Sequence, residues 1–222
     1  MELDHAYLVE QLKARGVPIS AKSHGEYLSY YGLGQSNTYV LLDGVVKASV
    51  IMREGREYNI SYIKGPNPVS LLRDEESNLT DAPFNVRVES ERATYLSVPR
   101  VTFWNCVNSD ARLLSYVKDY YRLNLERAMH RTRCFTMNGK TGAVGAFLYE
   151  VARDFGVSVE DGVRIGLCVT NEDIAGFCGI SSRNSVNRIL RGFREQGVIR
   201  TGRKDCEITI LEPAQLERYV VA

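Results

Sequence analysis

Residues 170–199, TNEDIAGFCGISSRNSVNRILRGFREQGVI, contain the signals for two short helices joined by a tight turn. Thr170 followed by two nearby acids is typical of a helix start, because its hydroxyl can accept from free backbone N–H groups and acids complement the helix dipole. Gly179 supplies a residue suited to the sharp turn. The pattern predicts helices near residues 171–178 and 182–196.

The second of these helices has two faces of opposite character. Ser181 or Ser182 can cap it, and Gly197 ends it as a C-terminal glycine. Its apolar stripe follows the helical spacing i, i+3, i+4, i+7 and consists of Val186, Ile189, Leu190 and Phe193. The opposite face is polar and basic, and it consists of Arg183, Asn184, Ser185, Asn187, Arg188 and Arg191.

A basic hairpin is predicted directly after the second helix. Two short strand-like segments, 198–199 and 207–210, flank the basic tip 200–204. Residues 183–204 contain seven basic side chains and one acidic side chain, whereas the whole chain has a net charge of only +1. One concentrated basic patch on a nearly neutral chain is typical of local contact with phosphates, although a solvated helix face can have the same composition.

Two helices followed by a basic wing predict a winged helix-turn-helix that binds double-stranded DNA. The second helix of such a motif fits the major groove with its N-terminal residues against the base edges, where Arg pairs with guanine and Asn with adenine. Four residues lie in those first turns: Arg183, Asn184, Asn187 and Arg188. The complete predicted DNA-binding set is Ser182, Arg183, Asn184, Ser185, Asn187, Arg188, Arg191, Arg203 and Lys204. The alternative is a helical hairpin with an incidental polar face.

The N-terminal half has a different pattern. Residues 5–15 predict a short helix that ends at a Gly-Val-Pro sequence. From residue 21 to residue 99, short β-type runs alternate with turns such as Asp43-Gly44, which predicts an antiparallel sandwich or barrel. The polar segment 65–81 interrupts these runs, and we expect a loop there with a short helical piece around 69–73.

A long helix is predicted at residues 109–133, which contain neither proline nor glycine. Ser109 or Asp110 can cap it. Its 3-4-3-4 seam suits pairing with a second copy, and the alternative is packing against its own domain. The seam consists of Leu114, Val117, Tyr121, Asn124 and Ala128. A helix over 140–155 and a strand over 163–169 then lead into the helix pair.

Composition argues against several other classes of protein. The sequence has no run of eighteen apolar residues and no basic start followed by an apolar run, so we expect a cytoplasmic protein without a membrane span. The five cysteines are widely spread and none forms a C-x-x-C pair. We therefore expect isolated reduced thiols and neither a disulfide framework nor a zinc site.

The chain resembles the Crp/Fnr superfamily of bacterial regulators over nearly its whole length. The quoted stretch is similar to the family pattern, and the order of parts also agrees, with LLDGVVK as a β-roll turn. The resemblance implies an α+β protein with an antiparallel β-roll (a double-stranded β-helix, the cyclic-nucleotide-binding type of fold) at 1–108, a dimerisation helix at 109–137 and a winged helix-turn-helix at 138–222. It also implies a homodimer.

Some residues depart from the family pattern. The turn Gly-Ile-Ser-Ser-Arg is one residue longer than the commonest form and is similar to the PrfA-type branch, which leaves the register of the second helix open by one residue. Cyclic-nucleotide binders carry Gly-Glu and Arg-Ser/Thr where this chain has 65–68 and 81–84, GPNP and DAPF. A buried phosphate needs a positive partner, and neither stretch supplies one, so we do not expect this chain to bind cyclic AMP. The first cysteine is Cys106, which is too late for an iron–sulfur sensor, and the histidines show no haem-ligand pattern. No cofactor or metal is expected.

The predicted function is therefore a homodimeric, sequence-specific transcriptional regulator on a near-palindromic operator. A small-molecule or redox effector at the β-roll is one form of control, and an effector-independent regulator or a protein-interaction module is the alternative. An activator would also contact RNA polymerase. An effector could lie among Tyr39, Tyr58, Tyr62, Tyr120 and Tyr121, whose ordinary role would be core packing. No enzyme activity is expected, since metal-dependent barrels of this type need clustered histidines.

Overall fold

The computed structural model describes residues 3–32, 37–70, 82–202 and 206–220. The chain forms two compact units. The first contains Met1–Gly55 and Asn59–Leu125, and the second contains Arg56–Tyr58 and Glu126–Ala222. No helix within the described ranges is both long enough and apolar enough to cross a membrane.

The first unit consists of two antiparallel sheets and three helices. Its elements are α1 (His5–Ala14), β1 (Ile19–Ser23), β2 (Tyr27–Ser29), β3 (Asn37–Asp43), β4 (Val45–Ile51), β5 (Glu57–Lys64), β6 (Asn67–Pro68), β7 (Asn85–Val88), β8 (Arg92–Pro99), α2 (Arg100–Asn108) and α3 (Ala111–Met137). Glu57 and Tyr58 of β5, and α3 beyond Leu125, belong to the second unit. One sheet has the order β1-β8-β3-β6 and the other β2-β7-β4-β5. The predicted β-roll is confirmed.

Strand β3 separates two hydrophobic cores because successive side chains of a strand point to opposite faces. Val40 packs into a cluster with α1, α2 and α3, which includes Leu12 and Phe103. Its neighbour Leu41 packs into the other cluster, between the sheets, with Val46. Neighbouring apolar residues of β3 therefore contribute to two different cores, one on each face of the strand.

The predicted long helix is α3, which runs from Ala111 to Met137, and a separate shorter helix, α2, precedes it. Asp110 separates them, and its side chain accepts from the backbone N–H groups of Arg112 (2.8 Å) and Leu113 (3.2 Å). This is the N-capping interaction that the sequence predicted for Ser109 or Asp110. The short helical piece expected around 69–73 is absent at Val69 and Ser70, and its remaining residues lie outside the described ranges.

The second unit contains a four-stranded sheet and the helix pair. Its further elements are α4 (Gly139–Phe155), β9 (Gly156–Val159), β10 (Gly162–Ile165), α5 (Asn171–Cys178), α6 (Arg183–Glu195), β11 (Ile199–Thr201), β12 (Ile208–Ile210) and α7 (Pro213–Glu217). The sheet order is β11-β12-β10-β9. Strand β9 was not predicted, and the strand expected over 163–169 ends at Ile165 because Gly156–Val159 pairs with only that part.

The expectation that all cysteines are isolated thiols is wrong. Cys168 and Cys206 form a disulfide, with their Cα atoms 4.8 Å apart. They are 38 residues apart in the sequence, and the folding of β12 beside β10 brings them together. Spacing along the chain alone does not reveal such a pair. The other three cysteines, Cys106, Cys134 and Cys178, are free.

Candidate nucleic-acid interface

Helix α5 begins with a reciprocal capping arrangement. The Thr170 hydroxyl accepts from the backbone N–H of Asp173 at 3.1 Å, and the Asp173 carboxylate accepts from the backbone N–H of Thr170 at 3.0 Å. Two backbone N–H groups at the helix start are thereby satisfied. Ile174 and Phe177 are buried on one side of this helix, and Phe177 stacks on Phe147 of α4 with the ring centroids 4.8 Å apart. The first helix of the pair is thus anchored in the domain.

The turn between the helices has the geometry that its sequence predicts. Gly179 adopts a left-handed conformation with φ of +62°, which glycine reaches without a side-chain clash. Ile180 is buried, and Ser182 caps α6 by accepting from the Ser185 N–H at 3.3 Å. Gly197, with φ of +70°, follows the last turn of α6. These positions define the two ends of the second helix.

Helix α6 is anchored by one side and exposed on the other. Val186, Leu190 and Phe193 are buried, and Ile189 is half-buried. We call the four residues Arg183, Asn184, Asn187 and Arg188 the reading face, and all four are exposed. Ser182 and Arg191 are exposed beside them, and Ser185 is half-buried. Seven of the nine predicted DNA-binding residues therefore lie together at the start and outer side of α6.

Two residues of α5 contact the reading face. Asn171 donates from its amide to the side-chain oxygen of Asn187 at 3.1 Å, and Arg183 donates to the Glu172 carboxylate, also at 3.1 Å. From the sequence, Glu172 was expected only to complement the helix dipole. The sequence offered one hint of this ion pair, because Glu172 lies eleven residues before Arg183 of the next helix.

Two members of the reading face keep their side-chain donors available. Among the described residues, the side chains of Asn184 and Arg188 make no hydrogen bond or ion pair. Arg188 also lines a shallow surface groove together with Asn187, Arg191 and Arg194. A guanidinium group beside such a groove can donate two parallel hydrogen bonds to an acceptor pair, as guanine presents in the major groove.

At least one basic side chain of the wing is already neutralised by an ion pair within the protein. Arg200 forms a two-pronged ion pair with the Asp161 carboxylate, and this hydrogen bonding lowers the pKa of Asp161. Arg194 donates to the Thr201 hydroxyl at 3.2 Å. The predicted phosphate-contacting residues Arg203 and Lys204 lie outside the described residues.

Two of the five tyrosines that were considered for an effector site, Tyr39 and Tyr120, take part in the packing of the first unit. Tyr39 packs edge-to-face on Tyr95, and Tyr120 donates to the Pro68 carbonyl at 2.8 Å. Tyr58 is exposed. A separate cavity beside β3 is lined by Thr38 and Arg100, among others, and has a volume of about 10 Å³. That is room for about one water molecule, so these contacts favour the core-packing interpretation.

Comparison with known proteins decides the family. Residues 143–219 match the Crp-like helix-turn-helix domain. A lactate racemization regulatory protein from Lactiplantibacillus plantarum is 53% identical over 196 residues, which cover 88% of this chain and 89% of the relative. The chain belongs to the Crp/Fnr family of transcriptional regulators. It is a DNA-binding protein of this family, as the helix pair predicted.

More distant relatives of this Crp/Fnr regulator share its architecture. The listeriolysin regulatory protein of Listeria monocytogenes is 25% identical over 161 residues, which cover 72% of this chain and 67% of the relative. A CRP-family transcriptional regulator from Thermus thermophilus superposes with a TM-score of 0.73 at 17% identity, covering 90% of this chain and 96% of that one. A CooA mutant from Carboxydothermus hydrogenoformans superposes with a TM-score of 0.76 at 16% identity, and the match covers 99% of this chain and 98% of that one. These structures support the fold.

Proposed function

We propose that this regulator binds a near-palindromic operator as a homodimer, with one α6 helix in each of two successive major grooves. The observation that carries the proposal is the exposed reading face on a helix whose opposite side is buried. A helix held in this way can enter the groove as a rigid element. Two-fold symmetry would place the half-sites about 34 Å apart.

We assign base contacts to the reading face, because its residues occupy the first turns of α6. Arg183 and Arg188 suit guanine, and Asn184 and Asn187 suit adenine. The remaining predicted residues suit phosphate oxygens and hold the helix in register. They are Ser182, Ser185, Arg191, Arg203 and Lys204.

The exposed apolar surface of α3 supports dimerisation along this helix, but the residues available for pairing differ from the predicted seam. Val117 is buried within its own chain, and Leu114 packs against the same core. Asn124 donates to the Tyr120 carbonyl of its own helix at 2.8 Å. In contrast, Leu125 and Met129 are 63% and 65% exposed. Apolar side chains one helical turn apart and open to water suit packing against a second copy.

We propose that the regulated genes act in lactate racemization. The support is the name of the 53% identical relative and the share of both chains that it covers. Other parts of the proposal are a cytoplasmic location, contact with RNA polymerase if the protein activates, and a small-molecule effector at the β-roll. The relatives are named as regulators, which supports a role without enzyme activity.

The experiment that tests this function is selection of bound duplexes from a random pool by purified protein, with and without each lactate stereoisomer. The proposal expects a two-fold symmetric consensus, and an effector would change the recovered fraction of duplex. Recovery of unrelated sequences without a consensus would contradict sequence-specific binding. It would favour the alternative, a winged helix that contacts another protein.

A further inference from the structure

The disulfide joins the two segments that border the DNA-binding elements. Cys168 lies between β10 and α5, two residues before the capping residue Thr170. Cys206 lies between β11 and β12 and follows the basic residues of the wing in the sequence. The loop that this bond closes therefore contains α5, α6 and β11. It ties the start of the helix pair to the base of the wing.

The surrounding fold brings these two cysteines together through other contacts as well. Val169 is fully buried next to Cys168, and Ile208 is buried two residues after Cys206. The backbone N–H of Val169 also lies 3.4 Å from the Cys206 carbonyl oxygen, to which it donates. These anchors do not require the sulfur–sulfur bond. The two thiols are therefore expected to remain neighbours when the bond is reduced, which makes its formation reversible.

The pair is also accessible to small reagents. Cys168 is exposed and Cys206 is half-buried. The other thiols lie in a different environment, since Cys106 and Cys134 are buried and burial raises the pKa of both. Burial raises the pKa of Cys178 to about 12. Because the thiolate is the reactive form, these three cysteines should react slowly at neutral pH.

We propose that Cys168 and Cys206 form a reversible thiol–disulfide switch that sets the affinity of this regulator for its operator. The proposal rests on the proposed function of α6. In the oxidised state the bond connects the base of the wing to the segment before α5. In the reduced state only the noncovalent anchors at Val169 and Ile208 remain, so the base of the wing moves more than in the oxidised state and must be ordered further when DNA binds. This ordering costs conformational entropy, and the oxidised protein therefore binds more tightly.

The chemical step needs a two-electron oxidant, for which a peroxide is sufficient. One cysteine thiolate attacks a peroxide oxygen, the O–O bond breaks, and a sulfenic acid and hydroxide form. The second thiolate attacks the sulfenic sulfur, forms the S–S bond and releases a second hydroxide. The two hydroxides take up the two thiol protons, so one hydrogen peroxide becomes two waters. A dithiol reverses the step and is itself oxidised to a disulfide.

The test measures bond state and DNA affinity on the same full-length samples. Protein is reduced with dithiothreitol, or reduced and then treated with hydrogen peroxide. Alkylation and peptide mass spectrometry follow the Cys168–Cys206 bond, and a duplex selected by the oxidised protein reports affinity. The conformational entropy lost on fixing one backbone residue corresponds to about a tenfold change in an equilibrium constant. We therefore expect the reduced protein to bind the duplex about 3- to 10-fold more weakly than the oxidised protein.

Variants separate this bond from other thiol chemistry. Cys168→Ser and Cys206→Ser should each bind like the reduced protein and no longer respond to peroxide, whereas Cys178→Ser should respond like the unchanged protein. Circular dichroism checks that each variant is folded, and the reduced unchanged protein gives the same comparison without a substitution. Equal affinity of the reduced and oxidised forms, or failure of the bond to form under peroxide, would overturn the switch. Failure of both forms to bind any duplex would instead overturn the proposed function.

Discussion

Helices α6 and α3 are both buried on one side, and the difference lies in what each presents on its other side. Helix α6 presents arginine and asparagine, while α3 presents Leu125 and Met129 beyond the core of the first unit. Polar donors on a rigid helix suit base edges and phosphates, whereas apolar side chains suit a second protein surface. The outer side of α6 thus suits DNA, and the outer side of α3 suits the second copy of the chain that we propose.

The largest effect is expected from a charge in the proposed dimer surface. Leu125→Asp should prevent pairing, because a carboxylate would have to be buried between the copies. Losing the second binding module lowers operator affinity by about 100-fold or more. Sedimentation gives the mass in solution, and a duplex titration gives the affinity. Lys118→Asp, at an exposed polar position of the same helix, is the control and should stay dimeric. A Leu125→Asp protein that remains dimeric would exclude this surface.

A smaller loss is expected at the reading face. Arg188→Ala removes a donor pair that no described residue uses, so specific affinity should fall by roughly 1–3 kcal/mol and base choice should relax at one position of each half-site. Duplex selection with the variant measures both quantities. Arg191→Ala is the matched control, since loss of a phosphate contact weakens all sequences alike. Unchanged base choice in Arg188→Ala would show that the register of α6 is wrong.

Removal of the α5 cap should affect stability more than recognition. Thr170→Ala deletes the hydroxyl that accepts from Asp173 N–H, which costs about 0.5–2 kcal/mol of the free energy of unfolding. Urea unfolding followed by circular dichroism measures this change. Thr132→Ala is the control, because that hydroxyl only contacts the carbonyl of Ala128 within its own helix. An equal loss in both variants would contradict the importance of the cap.

The smallest change is expected in the wing. Lys204→Ala should weaken binding to every duplex by a similar factor and reduce the slope of log affinity against log salt by about one. The measurement is a salt titration on the selected duplex and on a scrambled duplex. If the variant lost affinity for the selected duplex alone, Lys204 would be a base contact and the division between helix and wing would need revision.

The sequence predicted the helix pair closely because its signals are local. Thr170, Gly179 and Ser182 act within one or two turns of their own positions, and the structure places the two helices at 171–178 and 183–195. Contacts between distant residues were not predictable in this way. The Cys168–Cys206 bond depends on strand pairing across 38 residues. The buried state of Val117 depends on how the first unit packs around α3.

If the polar side of α6 reads base pairs, the protein must distinguish a selected palindrome from a scrambled duplex of the same composition. Both are titrated over a range of salt concentrations. We expect much tighter binding to the palindrome and a steep loss of affinity with salt for both duplexes, since phosphate contacts release counterions. Equal affinity for the two duplexes, or no binding to either at low ionic strength, would contradict it.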